Sequence, residues 1–542
     1  MLNWENISIG EALKIRFNND GDSIAIGHKG EKITYNELYK ISSDIALGLN
    51  QLGIKKGDHI ATLFDNVPEW IFVKYALHFI GAVIVPINVN FRTREIQFIL
   101  QQGDIKTIIT KDSTKYGNHL ELIESIDPKI KENKKNIKSE ILPKLEKIIT
   151  VSPDGKNYQN CYDLENLITI GSSTGKNINS LLDKVKPSDV CNILFTSGST
   201  AFPKGAMHRH TSLLGIGFNL IKETFRMKPN SKILCNFPFY HIAGCVYFPL
   251  GALTGRYELY INEFVSSEVI NIIEKEKINF FCGFEAHFNA LANDSKFDSR
   301  KLKSVENILL ACGPEWYDKC KNIFTEAKII SHHYGLTEGT GVSVEYNEKD
   351  YKTRKFTNGK PWKGIEVKIV DPITGERIHP NLNGELCLKG WNLFLGYYNN
   401  DQETTKAFDN EGFFHSGDYG CKDEKGNICY KGRYKMMIKT GGENVSEREL
   451  EMFLESMPGV RSVQVIGLPD EKWGESVTAV IEKEESSKIT EEDVIKFCKS
   501  KISRFKIPKK VFFIRSGEWP LLGSGKINKI FLKKLIIEKL TF

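Results

Sequence analysis

The stretch Thr196-Ser197-Gly198-Ser199-Thr200-Ala201-Phe202-Pro203-Lys204-Gly205 gathers hydroxyls, two glycines and a lysine. Hydroxyl donors, backbone N–H groups left uncovered by glycine, and one ammonium suit a loop that folds over phosphate oxygens. It is not a Walker A loop, because the G-x-x-x-x-G-K-[ST] spacing is absent. The same composition also makes a polar turn. Further along, Glu338 offers hard carboxylate oxygens to a divalent cation; alternatively it is a helix-start carboxylate, worth a few tenths to about 1 kcal/mol. Thr337 beside it can hydrogen-bond a phosphate. Asp418 can accept from two neighbouring hydroxyls, as a ribose presents them, or can form a turn after Gly417. Arg433 can contact the same sugar or form a surface salt bridge. Lys526 could offset the repulsion between two reacting anions; among 74 lysines and arginines its plain reading is a solvated side chain.

The elements that must hold these residues alternate. From Glu37, apolar residues at Leu38, Ile41, Ile45, Leu49 and Leu52 fall on one helical face, and Gly53 ends the helix. Residues 58–64 read as a buried strand. Asn66 then supplies a cap and Pro68 a first-turn proline for a helix ending near Gly81, before a strand at 82–87. Such alternation implies a largely parallel sheet covered by helices. Further strands are expected at 189–196, 232–236, 307–311 and 329–332, with shorter ones at 364–370 and 384–389. The lysine-rich 131–147 stretch reads as a solvated insertion. Past 433 the texture changes: Ser446 with Glu449 forms a capping box for a helix closed by Gly459. Strands at 461–468 and 476–482, a helix capped at Thr490 and a strand at 509–514 complete a unit of ordinary domain size.

Composition narrows the functional classes. A chain of 542 residues is too long for one small core. Its net charge of +6 is small for a dedicated nucleic-acid surface but compatible with polyanionic small molecules. The eleven cysteines are scattered without a C-x-x-C pair and read as reduced, mostly buried thiols. The amino terminus lacks a basic and an apolar leader region, and the apolar stretch 75–89 is too short to span a bilayer. A cytoplasmic protein with no nucleic-acid partner and no membrane span is expected.

The phosphate-loop candidate is followed by Tyr334-Gly335-Leu336-Thr337-Glu338, His415-Ser416-Gly417-Asp418, Gly432-Arg433-Tyr434-Lys435, Gly441-Gly442-Glu443-Asn444 and Gly523-Ser524-Gly525-Lys526. In kind and order these resemble the motifs of the adenylate-forming superfamily, which includes acyl-CoA synthetases, peptide-synthetase adenylation domains and firefly luciferase. The resemblance implies an α/β fold: a large N-terminal domain of stacked α/β sheets with a β-rich subdomain (1–433), and a small mobile C-terminal α+β domain (434–542). It implies ATP, Mg²⁺ and coenzyme A, with Thr196, Ser197, Gly198, Ser199, Thr200 and Lys204 around the phosphates. Gly313 and Pro314, within Ala311-Cys312-Gly313-Pro314, would lie along adenine, and Tyr334 and Gly335 would line the nucleotide site. Thr337 would touch a phosphate, Glu338 the metal, and Asp418 and Arg433 the ribose. Lys435 would precede the hinge, Gly441, Gly442 and Glu443 would lie by the thiol tunnel, and Lys526 would catalyse adenylation. Two departures stand out: Met436 replaces the usual hinge Asp, and Phe284-Glu285-Ala286 stands where V-P-T is usual.

His241, in Phe239-Tyr240-His241-Ile242-Ala243-Gly244, resembles the family's gate to the acid pocket; a buried, hydrogen-bonded histidine is its alternative. The resemblance implies that members activating an α-amino acid carry an Asp near here for its ammonium; none follows Phe239, which disfavours such a substrate. Glu285 either starts a helix or faces a cationic or hydroxylated acid, at a high desolvation cost. The chain ends sixteen residues after Lys526 without a carrier domain. The expected reaction therefore joins a small carboxylic acid to free coenzyme A through an acyl-adenylate, with loading of a separate carrier protein as the alternative. A luciferase-like oxygenase and a non-catalytic nucleotide binder are the remaining readings, and a monomer or homodimer is expected.

Overall fold

The computed structural model describes all residues except 1–2, 153, 197–202, 434–436, 441–442, 471–472, 500, 503, 523–525 and 542, together with the side chains of Arg94, Met437, Lys439, Glu443, Asn444, Ser446 and Glu449. Two sheets share one layer of helices. In the seven-stranded sheet, strands His59–Leu63, Val83–Pro86, Thr107–Lys111, Lys147–Val151 and Val190–Thr196 run parallel, and Lys204–Arg209 turns back antiparallel at one edge. In the nine-stranded sheet, Ile24–His28, Glu258–Ile261, Lys232–Cys235, Phe280–Gly283, Asn307–Leu310 and Ile329–Leu336 form the parallel centre, with antiparallel edges.

Strand alternation explains why these segments are apolar throughout. Ile60, Ile84 and Ile109 point into the core between the sheets, whereas Ala61, Val83, Val85 and Ile108 point to the outer helices. Both faces are covered, so a period of two leaves no polar side. Leu38, Ile45 and Leu49 of helix Tyr35–Gln51 enter the shared core, and a Thr34/Glu37 capping box starts that helix. The 131–147 stretch is only partly solvated: its lysines are exposed or half-exposed, but Ile137, Leu142 and Leu145 are buried.

Asn66 is not a cap. Val67 precedes helix Pro68–Ile80, and the Asn66 amide works elsewhere. It donates to the Phe237 and Asn262 carbonyls at 2.8 and 3.1 Å and accepts from the Phe239 N–H at 3.2 Å. Buried and fully engaged, it ties the loop after a strand of one sheet to segments of the other.

Four antiparallel strands, Ile365–Val370, Gly384–Gly390, Phe414–Lys422 and Ile428–Arg433, build the β-rich part of the large N-terminal domain. The smaller C-terminal domain holds strands Met437–Thr440, Glu443–Ser446, Val460–Asp470, Gly474–Lys483 and Lys510–Ile514. Its helix Glu447–Glu455 ends before Gly459, which turns the following loop with a φ of 88°. The Ser446–Glu449 capping box lies outside the described side chains. Thr490 caps helix Glu491–Cys498 as expected, and helix Lys529–Thr541 is an addition that the sequence reading did not include. No helix among the described residues is long and apolar enough to cross a membrane.

Candidate active site

Thr337 and Glu338 form the two-residue turn between strands Ile329–Leu336 and Gly339–Ser343, where Leu336 pairs Gly339. Glu338 is therefore not a helix-start residue; its side chain is held at the tip of a tight hairpin. It is 8% exposed, and Tyr397 donates its hydroxyl proton to Oε1 at 2.8 Å. The Glu338 carbonyl accepts from the Phe394 N–H at 2.8 Å. Burial, then Glu338, pushes the Tyr397 phenol up, so it stays a donor.

Thr196 and Lys204 pair at the end of the hairpin that carries the phosphate-loop candidate. Ser197, Gly198, Ser199 and Thr200 lie outside the described residues. The Lys204 ammonium pairs with Glu403 and sits 5.2 Å from the centre of the Tyr397 ring. Tyr397 thus touches both the cation beside the loop and the carboxylate at the hairpin tip.

Asp418 lies within strand Phe414–Lys422, opposite Arg433 in the next strand, so it is not a turn residue. Tyr334 donates to its Oδ2 at 2.8 Å and Arg433 Nε lies 2.9 Å from Oδ1. Only 3% of Asp418 is exposed. Burial pushes its carboxyl up to about 6, against Arg433 and Tyr334, which pull it down. Arg433 is half-exposed but pairs with a buried carboxylate, which a surface salt bridge would not do. Tyr334 is buried and stacks on Tyr430, and Gly335 packs so tightly on Thr340 that a Cβ would collide.

Lys526 belongs to the C-terminal domain, yet its ammonium reaches the large one. Nζ lies 4.8 Å from the centre of the Phe284 ring. The residue as a whole is exposed, but its charged end is desolvated, which lowers its pKa; the positive charge of Arg433 lowers it further. Burial, and then Lys526, bring His241 down to about 4, so the imidazole is neutral near pH 7. The Ala243 N–H donates to His241 Nδ1 at 3.2 Å. Around Phe284 stand Phe237, at 5.1 Å, and His287, which burial holds at about 4. The structure thus brings Lys526, His241, Asp418 and Arg433 to one region. Lys435, Met436, Gly441 and Gly442 lie outside the described residues, as does the Glu443 side chain.

Gly313 and Pro314 follow strand Asn307–Leu310, and a Cβ on Gly313 would collide with Arg448 and Glu315. Arg448 of helix Glu447–Glu455 pairs with Glu315 of the large domain and with Glu451 and Glu455 of its own helix. Glu285 is the first residue of helix Glu285–Ala292 and has Arg448, Glu315 and Lys319 as charged neighbours. Its helix-start reading holds.

The profile of the AMP-binding enzyme family matches residues 13–398, and that of the AMP-binding enzyme C-terminal domain matches residues 449–526. The chain belongs to the AMP-binding enzyme family. Among its relatives is the putative acyl-CoA synthetase YngI of Bacillus subtilis (strain 168), 31% identical over 525 residues, which cover 96% of this chain and 95% of the relative. The mitochondrial medium-chain acyl-CoA ligase ACSF2 of Bos taurus is 28% identical, with 98% of this chain and 88% of the relative covered. In fold, the chain matches the crystal structure of ATP-bound MatB from Rhodopseudomonas palustris with a TM-score of 0.84 at 24% identity, over 97% of this chain and 98% of the other.

Within this AMP-binding enzyme, sequence reasoning missed Tyr397, Glu403, Glu315 and Arg448. Each acts through a partner between 59 and 199 positions away, so no local spacing could have announced it.

Proposed function

We propose that the protein is an ATP-dependent acid–thiol ligase. It joins a carboxylic acid to AMP with release of pyrophosphate, then moves the acyl group to the thiol of coenzyme A with release of AMP. One observation carries the reading: the C-terminal Lys526 ammonium stands beside Phe284 and within electrostatic reach of His241 and Arg433. A carboxylate attacking the α-phosphorus brings two anions together and builds charge on the equatorial oxygens. A desolvated ammonium at that point stabilises this charge more than it could in water. The family match and the acyl-CoA synthetase and ligase relatives support this reaction over carrier-protein loading.

Residues 1–433 then form the nucleotide-binding domain and 434–542 the lid that moves between half-reactions. Asp418 and Arg433 hold the ribose, Gly313 and Pro314 lie along adenine, and Thr196, Thr337 and Lys204 face the phosphates. Glu338 fits Mg²⁺ as a single hard protein ligand: Tyr397 donates to one of its two oxygens, and phosphate oxygens suit the remaining positions. The ion neutralises phosphate charge when bound. The acid lies against Phe237, Phe284 and the neutral His241 and His287, a wall that favours an uncharged apolar tail. A cationic acid is not favoured, because Glu285 stands with Arg448 and Glu315. Eleven free thiols fit a reducing compartment such as the cytoplasm.

The deciding experiment is pyrophosphate release from ATP across a panel of short, medium, aromatic and cationic acids, with and without coenzyme A. Acid-dependent release that yields a coenzyme A thioester supports the reading. Transfer only onto a phosphopantetheinylated protein, or no acid-dependent release, overturns it.

A further inference from the structure

Strands Phe414–Lys422 and Ile428–Arg433 bring Cys421 directly opposite Cys429 in an antiparallel ladder. Directly opposed residues in such a ladder have Cα atoms about 4.5 or 5.5 Å apart and side chains on one face. Both spacings fall within the roughly 4.4–6.8 Å that a disulfide spans. The backbone is therefore already at bridging distance, and each thiol is the other's strongest electrostatic neighbour. Gly420 keeps the strands close, since a Cβ there would collide with the Cys429 carbonyl. Cys421 is 8% exposed and Cys429 more open, so a small molecule can reach the pair.

The other nine cysteines are a useful contrast. Burial raises each of their thiols and keeps them protonated and inert. Within the pair the two thiols shift in opposite directions: proximity to Cys429, and then Lys431, lowers Cys421 against burial, while proximity to Cys421, and then burial, raises Cys429.

We propose that Cys421 and Cys429 form a reversible dithiol–disulfide pair, oxidised by a low-molecular-weight disulfide. One cysteine, as thiolate, attacks a sulfur of the incoming disulfide and expels one thiolate, leaving a mixed disulfide on the protein. The second cysteine gives its proton to solvent and attacks the protein sulfur, expelling the other thiolate. Two protein S–H bonds are lost and one S–S bond forms; the two electrons reduce the incoming disulfide to two thiols. The hairpin already closes the short loop between the cysteines, so the bond gains little from chain entropy and stays exchangeable with a thiol pool. The same ladder carries Asp418 opposite Arg433, so the pair places a redox handle on the strands that hold the buried carboxylate.

The test equilibrates the reduced, native, full-length protein in buffers of reduced and oxidised glutathione at stepped ratios. Free thiols are then alkylated under denaturing conditions and the protein is digested with trypsin. Lys422 and Lys425 lie between the two cysteines, so an intact bond appears as two peptides joined by it. The expected result is that joined species rising with oxidised glutathione, disappearing on return to reduced glutathione, while the other nine cysteines remain alkylated. The Cys429→Ser variant should instead retain glutathione on Cys421, the thiol shifted toward thiolate. Alkylation of both cysteines at every ratio, or glutathione persisting on one of them in the unmodified sequence without the joined species, overturns the proposal. So does a folded Cys429→Ser variant whose Cys421 takes up no glutathione.

Discussion

Arg448 of the C-terminal domain meets Glu315 of the large domain directly beneath Gly313. Glu451 and Glu455 crowd the same guanidinium from their own helix, and together these carboxylates push its pKa up against burial. The pair spans the two domains in the arrangement that also carries Lys526 to Phe284. Glu315→Gln should therefore slow acyl-adenylate formation about 10-fold, equivalent to about 1.4 kcal/mol, while thioester formation from preformed adenylate is spared. The exchanged pair Glu315→Arg with Arg448→Glu should recover part of the loss. An equal loss in both half-reactions would show that the pair only supports the fold.

Lys526→Ala should reduce adenylate formation by roughly 10²–10³-fold, the scale of removing one group that stabilises developing charge. Rapid-quench measurement of acyl-adenylate checks this, with thioester formation from supplied adenylate as the internal control. An unchanged adenylation rate would remove Lys526 from the chemistry.

With Asp418 holding the ribose as proposed, nucleotide affinity should depend on pH. Only the ionised carboxylate accepts from both ribose hydroxyls, so AMP binding should weaken as pH falls through about 6. Asp418→Asn should bind AMP weakly and without that inflection, as calorimetry from pH 5 to 8 would show. Stability runs the other way. The folded pKa lies above the unfolded value of 3.8, so the group's contribution is full below 3.8 and is lost as pH rises through about 6. Asp418→Asn should consequently be more stable than the parent above pH 6, by up to about 3 kcal/mol.

Tyr397→Phe removes the proton donor to Glu338 while keeping the ring under Lys204. Half-saturation by Mg²⁺ should shift several-fold, with thermal stability changed by only about 1 kcal/mol. An unaltered Mg²⁺ dependence would argue that Glu338 needs no such partner.

Burial, and then Lys526, bring His241 down to about 4, so its imidazole is neutral between pH 6 and 8. His241→Ala should alter the ranking of acids in the panel and leave the shape of the rate profile between pH 6 and 8 unchanged. A lost inflection in that range would contradict the neutral imidazole.

The fold was legible wherever burial imposes a period. Strands at 59–63, 83–86 and 307–310 stand where continuous apolar runs placed them, because both faces are covered. The motif residues were legible as types, but their local settings were not. From sequence Glu338 reads as a metal-binding carboxylate or a helix start, and only the pairing of Leu336 with Gly339 shows that it stands at a turn. Asn66 before Val67-Pro68 looked like a cap because its long-range carbonyl partners, at Phe237 and Asn262, leave no local trace. The ion pair between Glu315 and Arg448 depends on how two domains are set against each other, a quantity with no signature in either segment alone.

The Asn66 amide also bears on the choice of acid. Two of its contacts fix the Phe237–Phe239 segment, and a third fixes Asn262, to the loop after a strand of the opposite layer, so the Phe237 ring, 5.1 Å from that of Phe284, is not free to drift with one sheet against the other. On the proposed reading of these rings as the wall of the acid site, trimming or enlarging them should redirect the preferred acid, whereas Asn66→Ala should only blur selectivity among acids of different girth.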